Sequence, residues 1–139
     1  MKTILIIFLL LGLVYGGQNL KEVVLENGVK LILKETKGRG IIAGSIFIKG
    51  GTHGEGKRGT TNLMAVLLTK GTKTYSSYEI ASAFEDWGGF ISSSAADDYV
   101  EISFATRPQG LDQALKVIES MLLEPSFKEE NLQVEKRRA

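Results

Sequence analysis

The 139-residue sequence predicts an α+β fold, a mainly antiparallel sheet packed with helices. Three observations carry that expectation. Asn27-Gly28 stands between two apolar runs, and both residues tolerate the positive φ of a tight hairpin turn. Residues 99–105 alternate, with Val100, Ile102 and Phe104 on one side and Glu101 and Ser103 on the other, the period of a half-buried strand. Leu111, Ala114, Leu115, Ile118, Met121 and Leu122 recur instead at helical spacing.

In chain order, residues 1–16 read as a signal peptide. Lys2 is a short positive start, and the apolar run over residues 4–15 is broken only by Gly12. That run is shorter than the about twenty residues a spanning helix takes, and Val14-Tyr15-Gly16 suits a cut near Gly16 or Gly17. The alternative is a retained anchor. Cleavage leaves residues 17–139 as an exported chain, periplasmic or extracellular, with no membrane attachment expected. Residues 22–26 and 29–33 are the hairpin, and a two-residue turn sets Glu26 opposite Val29 and Val24 opposite Leu31. Residues 41–48 are apolar at both alternate sets of positions, the pattern of a central strand covered on both faces.

Residues 50–59 hold five glycines, yet lack the spacing and the Lys-Ser/Thr pair of a phosphate-binding loop, and read as a flexible strand-to-helix connection. Residues 60–70 form a short apolar helix. Leu63, Val66 and Leu67 make its buried stripe, Met64 and Leu68 widen it, and Gly71 stops it. Ser76 and Glu79 form a capping box opening a helix to about Trp87, with Ile80, Ala83 and Phe84 inward and Gly88-Gly89 at its end. Residues 90–96 read as a polar, small-residue extended segment. Pro125 ends the helix begun near Leu111, and Ser126 with Glu129 suggests a second capping box. The helix it opens runs to Ala139 without a stop signal, so a domain truncated at its C-terminal end is expected.

Composition narrows the function. The chain is 43% hydrophobic and 24% charged, an ordinary globular balance. Seventeen basic and 16 acidic residues leave a formal charge of +1, with no basic excess to argue for nucleic acid. Cysteine is absent, which removes disulfides, thiolate metal sites and a cysteine nucleophile. His53 is the lone histidine, whereas a catalytic zinc usually takes three protein ligands rich in histidine. The serines at 92–94 have no histidine at hand to activate them. Asp97-Asp98 would point to opposite faces if both lay on a strand. Lys136-Arg137-Arg138 reads as a solvated helix end.

Several segments, in order, resemble the N-terminal domain of the pitrilysin/insulinase-type (inverzincin) zinc peptidases, a family that includes mitochondrial processing peptidase. Leu25-Glu26-Asn27-Gly28-Val29 resembles the family's opening L-x-N-G-[LV]. Ile48-Lys49-Gly50-Gly51, with Glu55 and Gly59, resembles its approach to the metal helix. Lys70-Gly71-Thr72 resembles the K-G-T after that helix. Gly88-Gly89 with Ser92, Ser93 and Asp98-Tyr99 resembles a further element, and residues 111–127 resemble the following helix and P-x-F. The likeness spans nearly all of residues 17–139.

That resemblance implies zinc in active members, held by H-x-x-E-H. Here the three positions hold Asn62, Ala65 and Val66, so no catalytic residue, no metal ligand and no cofactor are expected. The third ligand of the family would fall just past Ala139. The resemblance also implies that the strand holding Ser92, Ser93, Ser94 and Ala95 lies beside bound peptide and can add an extended peptide at its edge. A plain edge strand is the alternative. The expected function is that of a non-catalytic homologue, the partner of an active peptidase subunit of the same family, helping to enclose substrate. A stand-alone peptide-binding module and a non-functional fragment remain open, and an active zinc endopeptidase is the least expected.

Overall fold

The computed structural model describes residues 20–138, so the segment read as a signal peptide lies outside the described residues. Contacts divide the chain into two units that meet at Arg39 and Gly40. In the first, β1 (Leu20–Val24) and β2 (Lys30–Lys34) form an antiparallel hairpin. Its register corrects the two-residue turn: Val23 lies opposite Leu31 and Val24 opposite Lys30. The connection is longer because Leu25 N–H donates to Val29 O at 2.8 Å, leaving Glu26, Asn27 and Gly28 in the loop. Gly28 takes φ +84°, the left-handed residue that closes a three-residue loop, and Asn27 Oδ1 accepts from Val29 N–H. The one-residue slip moves every side chain to the other face.

The second unit is a sheet with helices on one face. β3 (Ile42–Lys49), β4 (Phe90–Ala95) and β5 (Tyr99–Thr106) pair antiparallel in the order β3-β5-β4. β5 is therefore the central strand, and Val100, Ile102 and Phe104 are buried as their alternation predicts. β3 is an outer strand among the described residues, not the doubly covered one its apolar pattern suggests. Its second apolar face stays open: Phe47 is 60% exposed and stacks edge-on against Tyr99, ring centroids 5.2 Å apart. An aromatic pair on an open face accounts for that side of the pattern.

Four helices follow: α1 (Thr60–Leu68), α2 (Ser77–Glu85), α3 (Leu111–Leu123) and α4 (Glu129–Arg138). The core joins Ala65 and Leu68 of α1, Ile80 and Phe84 of α2, the inner face of β5, and Val117 and Met121 of α3. The capping box of α2 is formed as expected, with Ser76 Oγ accepting from Glu79 N–H and Glu79 Oε2 accepting from Ser76 N–H. Two buried stripes need correction. In α1 Leu67 and Leu68 are buried as expected, but Ala65 joins them, and Leu63 and Val66 are only half-buried. In α3 the inward set is Ala114, Val117, Ile118 and Met121, while Leu115 and Leu122 are exposed. α1 carries apolar residues around much of its circumference, whereas α3 has a polar face at Asp112, Lys116 and Glu119 and an apolar arc wider than the strip it buries, so Leu115 and Leu122 at the edge of that arc stay open.

The second capping box does not form. Ser126 spends its hydroxyl and its N–H on Gly71 O, at 3.0 and 3.1 Å. This is part of a seam around Lys70-Gly71-Thr72. Thr72 Oγ1 accepts from Tyr75 N–H and from buried Ser120 Oγ, each at 2.8 Å, and so ties the end of α1 to α3.

Candidate functional site

The loop between β3 and α1 is not slack. Gly50, Thr52 and His53 donate their N–H groups to the carbonyls of Asp98, Ala96 and Asp97 at 2.8 to 2.9 Å, and Thr52 Oγ1 donates to Asp97 Oδ1 at 3.2 Å. Gly51 is required there: a Cβ at this position would lie 2.1 Å from Ala96 O. Asp97 and Asp98 sit in the β4–β5 turn rather than on a strand, and the exposed His53 is held by its backbone.

Glu55 finishes the loop. Gly59, the N-cap of α1, has φ +86° and brings no side chain to the helix end. The Glu55 carboxylate takes that role from four residues upstream, accepting Gly59 N–H at one oxygen and Thr61 N–H at the other. These bonds, Thr61 first and Gly59 second, hold its pKa below the ordinary glutamate value. The chain's own carboxylate thus satisfies the helix N-terminus, an end that favours negative charge. Sequence reasoning passed over Glu55 in this role; an acid just ahead of a helix start was the available signal.

Downstream on α1, Asn62 and Val66 lie one turn apart on the same face, and Ala65 is turned into the core at 0% exposure. Asn62 and Val66 line an open cleft of about 660 Å³ whose far wall is α4. Glu135 reaches it from α4, and its Oε1 is held by Lys70 Nζ at 3.4 Å and Arg138 Nη1 at 3.1 Å. Asn131 Nδ2 donates to Lys70 O at 3.2 Å and fixes the same contact. Lys57, Arg58, Lys136 and Arg138 also line the cleft. No sequence rule brings the 57–58 pair and the C-terminal basic run together, since the meeting depends on how α4 docks.

Zinc takes imidazole, thiolate and carboxylate donors. This cleft offers an amide, an isopropyl group and one carboxylate already paired with two cations. Among the described residues no three His, Cys, Asp or Glu side chains gather. The donor set does not fit the metal.

The side chains of the four positions expected to meet peptide alternate between the two faces of β4. β4 is an outer strand, with its far edge unpaired among the described residues. Ser93 and Ala95 turn toward the helices, and Ser93 Oγ is buried with no hydrogen-bond partner among the described residues. Ser92 and Ser94 face the open side, opposite Ser103 and Glu101 of β5. There Ser103 Oγ donates to Glu101 Oε1 at 2.6 Å and lies 3.1 Å from Ser45 Oγ, and the two hydroxyls, Ser103 first, lower the Glu101 pKa.

A family model, Insulinase (Peptidase family M16), matches residues 30–139. Mitochondrial-processing peptidase subunit alpha-1 of Dictyostelium discoideum is 27% identical over 110 residues, 78% of this chain and 17% of that protein. The uncharacterized zinc protease YmxG of Bacillus subtilis (strain 168) is 26% identical over 119 residues, 84% of this chain and 29% of that protein. The chain therefore spans less than a third of either relative. A solved peptidase M16 inactive domain from Pseudomonas fluorescens superposes with a TM-score of 0.79 at 20% identity, covering 86% of this chain and 30% of that one.

Proposed function

The chain belongs to the insulinase family, peptidase family M16, and from that premise we propose that it is a non-catalytic member that partners an active peptidase subunit of the same family. One observation carries the reading. The face of α1 that would present H-x-x-E-H presents Asn62 and Val66 to a cleft lined also by four cations and one paired carboxylate, with Ala65 packed in the core. An amide and an alkyl group neither ligate zinc nor polarise water. A relative named as a subunit of a processing peptidase and a solved M16 domain described as inactive both agree with a paired, non-catalytic role. Export, on the strength of the apolar run over residues 4–15, belongs to the same proposal.

The test is co-expression with an M16 subunit that carries an intact H-x-x-E-H helix. A stable complex by light scattering, with faster peptide hydrolysis than the active subunit alone, is expected. Separate elution with unchanged hydrolysis contradicts the partner role.

A second reading, a peptide-binding module without a peptidase partner, is favoured by the outer position of β4. It predicts that an extended peptide slows amide exchange at residues 90–95 of the isolated chain. Unchanged exchange there counts against it.

A further inference from the structure

Two hollows meet beside the start of α1. The cleft already described holds Asn62, Val66 and Glu135. Its neighbour, about 330 Å³, is apolar, formed by Met64 and Leu67 of α1 with Phe127 and Leu132. Lys57, Arg58 and Lys136 line both. Each nearby acid is committed elsewhere: Glu135 to Lys70 and Arg138, Glu55 to the backbone of Gly59 and Thr61. Among the described residues Lys57, Arg58 and Lys136 form no ion pair within 4 Å, although Arg58 lies near enough to Glu55 to help lower its pKa. The junction thus carries surplus positive charge beside an unfilled apolar hollow.

We propose that this junction binds the C-terminal carboxylate of a peptide ending in an apolar residue. The carboxylate lies among Lys57, Arg58 and Lys136, and the terminal side chain enters the hollow of Met64, Leu67, Phe127 and Leu132. The geometry favours a chain terminus over an internal acid. The same cations line both hollows, so the anion and the apolar group must be immediate neighbours, and the α-carboxylate shares its Cα with the last side chain. Charge-assisted bonds from lysine and arginine suit this anion. A polarity that excludes a divalent cation therefore selects a peptide end. The inference rests on the reading of the cleft as metal-free.

The experiment measures fluorescence anisotropy of labelled heptapeptides with the full chain. One peptide ends in leucine with a free carboxylate, the second is its C-terminal amide, and the third is the amide with glutamate before the leucine. The free acid is expected to bind roughly tenfold or more tighter than either amide, the scale of one lost charge-assisted hydrogen bond. Raised salt should narrow that gap. Lys57→Gln with Arg58→Gln, both on exposed positions, should bring the acid down to the level of the amide with an unchanged circular dichroism spectrum. Equal binding of acid and amide, no binding of either, or binding of the glutamate amide as tight as the acid overturns the proposal. Zinc assayed on the same sample separates the failures. Without zinc, a missing acid preference overturns this proposal alone, whereas bound zinc overturns the reading beneath it.

Discussion

Glu55 does for α1 what serine does for α2, but from outside the helix. Both of its oxygens are bound to backbone N–H groups at the helix start. Its folded pKa is lowered, so its contribution is fully present above the ordinary carboxylate value, about 4.3, and is lost as pH falls through the lower folded value. Glu79 and Glu101 are shifted the same way, by the Ser76 backbone and the Ser103 hydroxyl respectively. Glu55→Gln is expected to lower the thermal midpoint at pH 7 and to reduce the loss of stability on acidification. A midpoint-against-pH curve parallel to that of the wild type contradicts the assignment. The positions at 62, 65 and 66 belong to the same scale. Their identities are legible from sequence, but their surroundings are not, because Lys57, Arg58 and Glu135 converge on Asn62 and Val66, and the core closes over Ala65, only in the fold. Asn62→His with Val66→His places two imidazoles one turn apart on one face, and zinc binding absent from the wild type is expected by calorimetry. No gain would show that these two side chains do not share the cleft.

At the scale of elements, local signals were read well where the chain satisfies itself locally. Ser76 and Glu79 are three residues apart, and their box forms from that spacing alone. Ser76→Ala is expected to cost about 1 kcal/mol in denaturant unfolding; an unchanged midpoint contradicts the cap. Ser126 and Glu129 have the same spacing, yet Ser126 is drawn to Gly71 O, a contact across 55 positions that no local rule anticipates. The hairpin shows the limit in another way. Asn27-Gly28 correctly marks the turn, but the backbone bond between Leu25 and Val29 sets the loop length and shifts the register by one. Both faces of β3 are apolar, the pattern of a central strand, yet one of those faces carries an exposed aromatic pair.

In the second unit as a whole, the core is a single layer between the helices and the inner face of the sheet. Alternation in β5 and the stripe of α2 named its centre from sequence: Val100, Ile102, Phe104, Ile80 and Phe84 are all buried. Phe84 is 0% exposed and lies 6.2 Å, ring centre to centre, from Phe104. Phe84→Ala is expected to cost about 3–5 kcal/mol by chemical denaturation, the scale for an emptied aromatic site. A loss below that range would mean that the ring is not central. The inward sides of α1 and α3 are less legible, because the apolar surface of each is wider than the strip it buries and only docking decides which residues are covered. The same holds for function: family membership is carried by elements spread along the chain, whereas the chemistry turns on one face of α1. The most direct test is the zinc content of the purified full chain by mass spectrometry. Zinc far below one ion per chain is predicted, and one ion per chain, lost on His53→Ala, contradicts the non-catalytic reading.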